Sequence, residues 1–155
     1  MVIPKNTYDY IVVGAGSAGC VLANRLSEDS EISVLLVEAG PEDRSVFLKM
    51  PSAFAHAMNS WKYDWNYIGD PEPNLENRQL SCPRGRVLGG SSSINAMCFV
   101  RGHRLDFDGW AKATGFKNWS YRNCLPYFKK LETFSGGASE FRGGSGPVSV
   151  IAPHF

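Results

Sequence analysis

The sequence has no long hydrophobic run, few histidines and almost no net charge. None of its apolar stretches approaches the roughly 20 residues that a membrane-spanning helix needs, and its N-terminal residues lack the apolar segment of a secretion signal. A net charge of +1 gives no reason to expect binding to nucleic acid or to an anionic membrane. The 3 histidines and 4 cysteines stand apart, without the spacing of a metal site or of C-x-x-C. These absences favour a protein of a reducing, cytoplasmic compartment, either free or attached peripherally to a membrane.

The strongest pattern that is present lies near the N-terminus. Apolar residues 10–13 predict a strand, and the sequence G-x-G-x-x-G follows at residues 14–19. Apolar residues 32–37 predict a second strand, which ends at Glu38. Between the strands, residues at helical spacing predict one buried stripe, made of Ala18, Val21, Leu22, Arg25 and Leu26. The order strand, glycine turn, helix and strand predicts a βαβ unit of the α/β fold class.

Each glycine of this turn has a mechanical reason. Gly14 permits a tight turn out of the strand, Gly16 lets the main chain approach a pyrophosphate, and Gly19 lets the helix pack closely on the strand. The N-terminus of the helix is a natural site for an anion. Glu38 follows about 20 residues later, where an acid binds the ribose hydroxyls of a dinucleotide. This unit predicts a site for the ADP half of a dinucleotide and leaves NAD and FAD both open.

Between residues 41 and 81 the regular periods fade, which predicts a long irregular excursion over a partner surface. Prolines interrupt it at positions 41, 51, 71 and 73. Aromatic residues alternate at positions 61, 63, 65 and 67 and predict a short strand with all four rings on one face. We expect this face to cover apolar surface, most simply the core or a neighbouring domain.

A second glycine-rich turn occurs at residues 89–95. Gly89 and Gly90 allow close approach of the main chain, and three serines and Asn95 follow with donors suited to an anion. Apolar neighbours, among them Val87 and Ile94, make a flexible linker a poor interpretation. A simple nicotinamide site does not need this second turn. If both turns hold one dinucleotide, Gly16 and Gly90 must border the same groove.

The C-terminal third predicts two helices and a strand. Asp106 is the expected N-cap of the first helix and Gly115 its end, while Ser120 is the expected N-cap of the second. Pro126 predicts a kink or a new start within the second helix. A glycine-rich loop at 136–146 leads to a strand at 148–151. Solvent-exposed charges are predicted at Arg101, Arg104, Asp106, Asp108 and Lys112.

These residues together resemble the N-terminal part of the glucose–methanol–choline (GMC) oxidoreductases, and within them the flavin alcohol dehydrogenases of choline-dehydrogenase type. The matching segments are 9–19, 38–40, 84–95, 101–102, 106–110, 118–121, 125–128 and 144–148. The resemblance implies a Rossmann-like FAD-binding unit with a long excursion and added helices, incomplete with respect to a larger two-domain fold. It divides the chain into an ADP-binding unit at 1–40, an excursion or lid at 41–81, a flavin-contacting loop with helices at 82–135, and the start of a substrate domain at 136–155.

The resemblance implies FAD rather than NAD as the cofactor. In some members a histidine beside the matching asparagine is joined covalently to the flavin, whereas this sequence has Ile94, so we expect dissociable FAD. The implied cofactor-binding residues are Gly14, Gly16, Ser17, Ala18, Gly19, Glu38, Ala39, Arg86, Val87, Gly90, Ser91, Asn95, Ala96, Met97 and Cys98.

The implied activity is oxidation of a primary alcohol, choline or another, to an aldehyde by hydride transfer to FAD, with a quinone or other electron acceptor. The histidine base of the family lies near the C-terminus of a much longer chain and has no match here, so no catalytic residue is predicted and we expect the piece alone to be inactive. Three alternatives remain open at this point. They are a GMC oxidase that uses O₂, an NAD-dependent Rossmann dehydrogenase, and a non-catalytic binding or assembly piece.

Overall fold

The computed structural model describes residues 7–152. It separates into two compact units, Met1–Cys98 and Phe99–Phe155. The four segments predicted from the sequence are finer than these two units and stay a prediction. His154 lies outside the described residues. None of the helices within 7–152 combines the length and the apolar character needed to cross a membrane.

The first unit begins with a strand–helix–strand arrangement. Strand β1 (Tyr10–Val13) pairs in parallel with strand β2 (Val34–Val37), and helix α1 (Ser17–Leu26) connects them. Gly14 has a φ of 92°, and its N–H donates to the carbonyl of Val37 at 2.7 Å. The βαβ unit of an α/β fold is therefore confirmed.

The predicted buried stripe of α1 is wrong. Gly19 is the buried residue of this helix, whereas Val21 and Leu22 are both about half exposed. The sheet is equally open, with Val13 of β1 83% exposed. Helical spacing shows which side chains share a face. It does not show whether another layer covers that face, and within residues 7–152 the sheet of β1 and β2 has only these two strands.

The excursion after β2 contains only short elements, as the broken periods predict. Its α-helices are α2 (Val46–Lys49) and α3 (Phe54–Ala57), and its strands are the antiparallel pair β3 (Tyr67–Ile68) and β4 (Ser81–Cys82). The predicted strand over residues 61–67 is wrong. The carbonyl of Ser60 accepts from the N–H groups of residues 63 and 64 at 3.1 and 2.9 Å, which closes a turn there instead.

The core of the first unit lies between this excursion and the second glycine-rich turn. Ala57, Tyr63, Val87 and Ile94 form one buried cluster. The second turn is thus packed and not a linker, as predicted. A hydrogen bond with Ser45 lowers the pKa of Tyr63, and this effect together with Lys62 outweighs burial, which raises it.

The second unit is built on two helices, α4 (Arg104–Thr114) and α5 (Tyr121–Leu131). The N-cap of helix α4 is His103 and not the predicted Asp106, so the helix begins earlier than predicted. The Nδ1 atom of His103 accepts from the N–H of Leu105 at 3.2 Å, and the carboxylate of Asp106 accepts from the N–H of His103 at 3.1 Å. Gly115 ends the helix with a φ of 71°, as predicted.

Helix α5 is capped by a residue of helix α4. Ser120 occupies the predicted N-cap position, yet its side chain makes no capping bond. The Oδ1 atom of Asp108 accepts from the N–H of Tyr121 at 3.0 Å instead. Pro126 lies inside α5, which runs without a break to Leu131. The second helix therefore does not start again at Pro126. Asp106 and Asp108 are both exposed, as predicted, and each also accepts a hydrogen bond at the start of a helix.

A buried ion cluster completes the second unit. Strand β5 (Glu132–Phe134) pairs in parallel with β6 (Val148–Val150), and the side chain of Glu132 is 0% exposed. Its carboxylate accepts from the Nε and Nη2 atoms of Arg142 at 2.8 and 3.0 Å and from the N–H of Gly143 at 2.9 Å. The Nη2 atom of Arg101 lies 2.7 Å from the same carboxylate.

This cluster overturns the prediction that Arg101 is solvated. Its guanidinium is mostly buried and lies 5.1 Å from the centre of the Phe128 ring. Burial by itself raises the pKa of Glu132, but the hydrogen bonds from Gly143 and Arg142 and the two guanidinium charges outweigh it, so the pKa is lowered overall.

Candidate cofactor-binding site

A cleft of about 540 Å³ opens in the first unit at the carboxyl ends of β1 and β2. Ligands of parallel α/β sheets bind at this edge, and pockets for small molecules have volumes of this order. The residues that line the cleft are Val13, Gly14, Gly16, Val37, Glu38, Ala39, Trp65, Tyr67, Arg84, Gly85, Gly90 and Ser91.

The two glycine-rich turns meet at this cleft. The N–H of Gly89 donates to the carbonyl of Ala15 at 2.7 Å. A methyl group on Gly90, which has a φ of 59°, would lie 2.8 Å from the Cα of Gly16. Only residues without a side chain permit this approach. Gly16 and Gly90 therefore border one groove, which confirms the expectation drawn from the sequence.

Glu38 ends β2 and holds the first turn in place. Its Oε2 atom accepts from the N–H of Ala15 at 2.7 Å, and its Oε1 atom accepts from the N–H of Gly40 at 3.0 Å. A carboxylate oxygen accepts more than one hydrogen bond. Glu38 therefore retains acceptor capacity toward the cleft, where ribose hydroxyls would be its donors.

The lining suits the ADP half of a dinucleotide. Gly16 is the N-cap of α1 and lines the cleft, so the partial positive charge of the helix N-terminus lies beside it. Glu38 supplies a negative charge at the same cleft. A carboxylate accepts hydrogen bonds from neutral ribose hydroxyls and would repel a 2′-phosphate. Gly16 and Gly90 have no side chains where the turns meet, so main-chain atoms would face a bound pyrophosphate there.

The structure brings part of the predicted set to the cleft. The predicted residues that line it are Gly14, Gly16, Glu38, Ala39, Gly90 and Ser91. The others that were predicted, which are not among the lining residues, are Ser17, Ala18, Gly19, Arg86, Val87, Asn95, Ala96, Met97 and Cys98. Gly19 is buried beneath the turn and Val87 belongs to the core. These two residues therefore support the residues that line the cleft.

Sequence reasoning missed three large side chains of the cleft lining. Trp65, Tyr67 and Arg84 line the cleft, and none of them was predicted as a site residue. The alternating aromatics were the available signal. Their spacing predicts rings that cover the core or a neighbouring domain, whereas of these four rings only Tyr63 is buried and Trp61 is 82% exposed.

A family model described as GMC oxidoreductase matches residues 8–153. The chain belongs to the GMC oxidoreductase family. This confirms the resemblance seen in the sequence, and FAD is the cofactor that this domain of the family binds. The preference for FAD over NAD is thereby confirmed.

Two bacterial relatives in this family are identical to the chain at more than half of the aligned positions. The oxygen-dependent choline dehydrogenase of Vibrio vulnificus (strain YJ016) is 58% identical over 145 residues, which cover 94% of this chain and 26% of that protein. The oxygen-dependent choline dehydrogenase of Pseudomonas aeruginosa (strain LESB58) is 55% identical over 148 residues, with the same two shares. The chain therefore spans about a quarter of the length of these relatives.

Solved structures of the family have the same fold. Pyridoxine 4-oxidase from Mesorbium loti matches with a TM-score of 0.89 and 37% identity, covering 96% of this chain and 29% of that one. An FAD-dependent oxidoreductase from Chaetomium thermophilum matches with a TM-score of 0.80 and 38% identity, covering 96% and 27%.

Gly16→Ala should weaken FAD binding roughly tenfold or more while changing the free energy of unfolding by no more than about 1 kcal/mol. A Cβ at Gly16 meets no atom within 4 Å and its φ of −74° suits alanine, so the added methyl is tolerated by the protein but enters the cleft. Titration of apoprotein with FAD and guanidinium unfolding measure the two quantities.

Gly14→Ala is the matched control for this variant. Its φ of 92° strains any residue with a Cβ, so here the free energy of unfolding should fall. Unchanged FAD affinity in Gly16→Ala would show that the cofactor does not approach this turn.

Proposed function

We propose that the chain is the FAD-binding portion of an oxidoreductase that converts a primary alcohol, choline or a similar compound, to its aldehyde. The observation that carries the proposal is the single cleft bordered by both glycine-rich turns, with Glu38 at its edge. Family membership supports the flavin, and the names of the two bacterial relatives support the substrate class.

The residues of the cleft have distinct tasks in this proposal. Gly14, Gly16 and the N-terminus of α1 would hold the pyrophosphate, and Glu38 would accept from the ribose hydroxyls. Gly90 and Ser91 would lie along the flavin end. The bound flavin supplies an acceptor for the hydride of the alcohol. The base that takes the hydroxyl proton has no candidate in this chain, so the chain's own part is to bind and orient the cofactor.

We infer that FAD is bound without a covalent bond. Ile94 occupies the position at which some members of the family carry the flavin-linked histidine, and it has no nucleophilic atom. It is also 3% exposed and packs in the cluster with Val87, so its side chain belongs to the core. Denaturation should therefore release the flavin into solution.

O₂ as the electron acceptor is the second candidate, and a quinone or another acceptor is the first. The bacterial relatives are named oxygen-dependent, and the pyridoxine enzyme is an oxidase. A small-molecule alcohol as the substrate is common to both candidates.

The test uses the full reading frame that encodes this chain. We expect a yellow protein whose flavin stays in the supernatant after acid precipitation. Anaerobic choline should bleach the flavin absorbance, whereas tetramethylammonium, which has the same cationic head but no hydroxyl, should not. Oxygen consumption and the reduction of an artificial acceptor then separate the two candidates. A colourless protein that NAD stabilises and FAD does not would contradict the proposal.

A further inference from the structure

Three side chains in the first unit form a ladder, which we call the Arg86–Trp65–Tyr67 ladder. The rings of Trp65 and Tyr67 are parallel within 2°, with their centres 6.1 Å apart. The guanidinium carbon of Arg86 lies 5.5 Å from the centre of the Trp65 ring. The ladder thus joins a cation, an indole and a phenol in sequence.

Local pairing explains why these side chains align. The N–H of Trp65 donates to the carbonyl of Arg84 at 2.9 Å, and Tyr67 pairs with Cys82. Residues 65 and 67 therefore lie opposite residues 84 and 82 of one neighbouring segment, and residue 86 is two positions from the partner of residue 65.

Arg86 is anchored independently of the rings. Its N–H donates to the carbonyl of Tyr63 at 2.7 Å, and its Nη2 atom donates to the carbonyl of Trp61 at 2.8 Å. An anchored guanidinium over an indole face is attracted by the ring quadrupole. This contact favours the orientation of the Trp65 indole that the structure shows.

Both rings of the ladder line the cleft that Glu38 and Gly90 border. Trp65 is 43% exposed and Tyr67 53% exposed, so considerable ring surface remains accessible there. Among the described residues that line this cleft, these two are the aromatic ones. Aromatic side chains in such a position stack the planar heteroaromatic rings of nucleotides.

We propose that Trp65 and Tyr67 form a stacking platform for a heteroaromatic ring of the bound dinucleotide. The shared chemistry is a flat π-system, which FAD offers twice, as adenine and as isoalloxazine. The inference rests on the proposed function, since it assigns a contact to the same cofactor in the same cleft. It adds binding residues that the glycine-rich turns alone do not predict.

Trp65→Ala in the full reading frame tests the platform. We expect the dissociation constant for FAD, measured by titrating apoprotein, to rise about tenfold, the effect of removing one base–aromatic stack. Trp65→Phe, which keeps a π-face, should remain within about threefold of the parent protein. Stacking on Trp65 should quench the fluorescence of bound flavin or of a fluorescent adenine analogue. This fluorescence should therefore be stronger in Trp65→Ala than in the parent protein.

Trp61→Ala is the matched control, because Trp61 belongs to the same segment, is highly exposed and does not line the cleft. Its affinity for FAD should be unchanged. Equal FAD affinity in Trp65→Ala and the parent protein, or equal losses in Trp65→Ala and Trp61→Ala, would overturn the platform while leaving the proposed function intact. A parent protein that binds no FAD would overturn both.

Two further arms identify the ring. Titration with ADP and with FMN shows which of the two rings stacks on the platform. A platform for adenine predicts the tenfold loss of affinity with ADP, and a platform for isoalloxazine predicts it with FMN.

If Trp65→Ala fails to fold, Tyr67→Ala carries the same test. Its control is Tyr67→Phe, which keeps the ring, and equal FAD affinity of these two variants overturns the proposal.

Discussion

Gly19→Ala is expected to destabilise the protein by about 3 kcal/mol or more. A methyl group on Gly19 would lie 1.9 Å from the carbonyl oxygen of Gly14 and 3.4 Å from the Cγ1 atom of Val12. The first contact is with main chain that a tight turn fixes, so neither partner can move aside without separating α1 from β1. Guanidinium unfolding measures the loss, and FAD affinity should fall with it because the cleft is built on this turn.

Gly109→Ala is the matched control. Gly109 lies within α4, and a methyl group there meets no atom within 4 Å. Alanine is the better helix former by about 1 kcal/mol, so this variant should be as stable as the parent protein or more stable. A Gly19→Ala protein that unfolds at the same denaturant concentration as Gly109→Ala would show that α1 does not pack against the turn as described.

Glu132→Gln is expected to cost about 3 kcal/mol of stability. The substitution removes the negative charge that neutralises Arg101 and Arg142, and Glu132 itself is fully buried. The amide can also accept only part of the hydrogen bonds that the carboxylate accepts from Arg142 and Gly143. Two guanidinium groups would then remain close together without a counter-ion. Denaturant unfolding again measures the effect.

The control for charge removal is Glu28→Gln. Glu28 forms an ion pair with Arg25 in which both side chains are more than half exposed. Such surface pairs contribute about 0–1 kcal/mol, so little change is expected. Equal losses in Glu28→Gln and Glu132→Gln would contradict the role of the buried cluster.

The same cluster predicts a dependence of stability on pH. The pKa of Glu132 in the folded protein lies below its ordinary value of 4.5. Its contribution is therefore complete above about pH 4.5 and is lost as the pH falls through the folded pKa. Between those values the parent protein should lose stability more steeply than Glu132→Gln, which has no carboxylate to protonate at this position.

The sequence predicts well the features that depend on neighbouring residues alone, such as a turn that requires glycine or a strand with an apolar run. Gly14 permits the left-handed turn, Gly115 ends α4, and apolar residues 10–13 form β1 where the period indicates. The meeting of Gly16 and Gly90 was also predictable, because two turns without side chains are both needed to approach one extended ligand.

The features that failed depend on partners far along the chain. Arg101 is one of several charged residues in its stretch, and nothing local shows that Glu132 will bury it. Asp108 replaces the side chain of Ser120 as the cap of α5 only because α4 places it there. Trp65 and Tyr67 alternate as a core-facing strand would. The turn at Ser60 interrupts the predicted strand, and the position of these two rings in the cleft could not be predicted from spacing.

The bond between Asp108 and Tyr121 has a consequence for the order of folding. Its partners are 13 residues apart, so the loop between them closes on a timescale on the order of 10–100 ns and α4 and α5 can come together early. The contact between Gly16 and Gly90 joins segments much farther apart, and such closures are slower because more chain entropy is lost first. A complete chain that refolds from denaturant should therefore bring α4 and α5 together before it acquires any affinity for flavin.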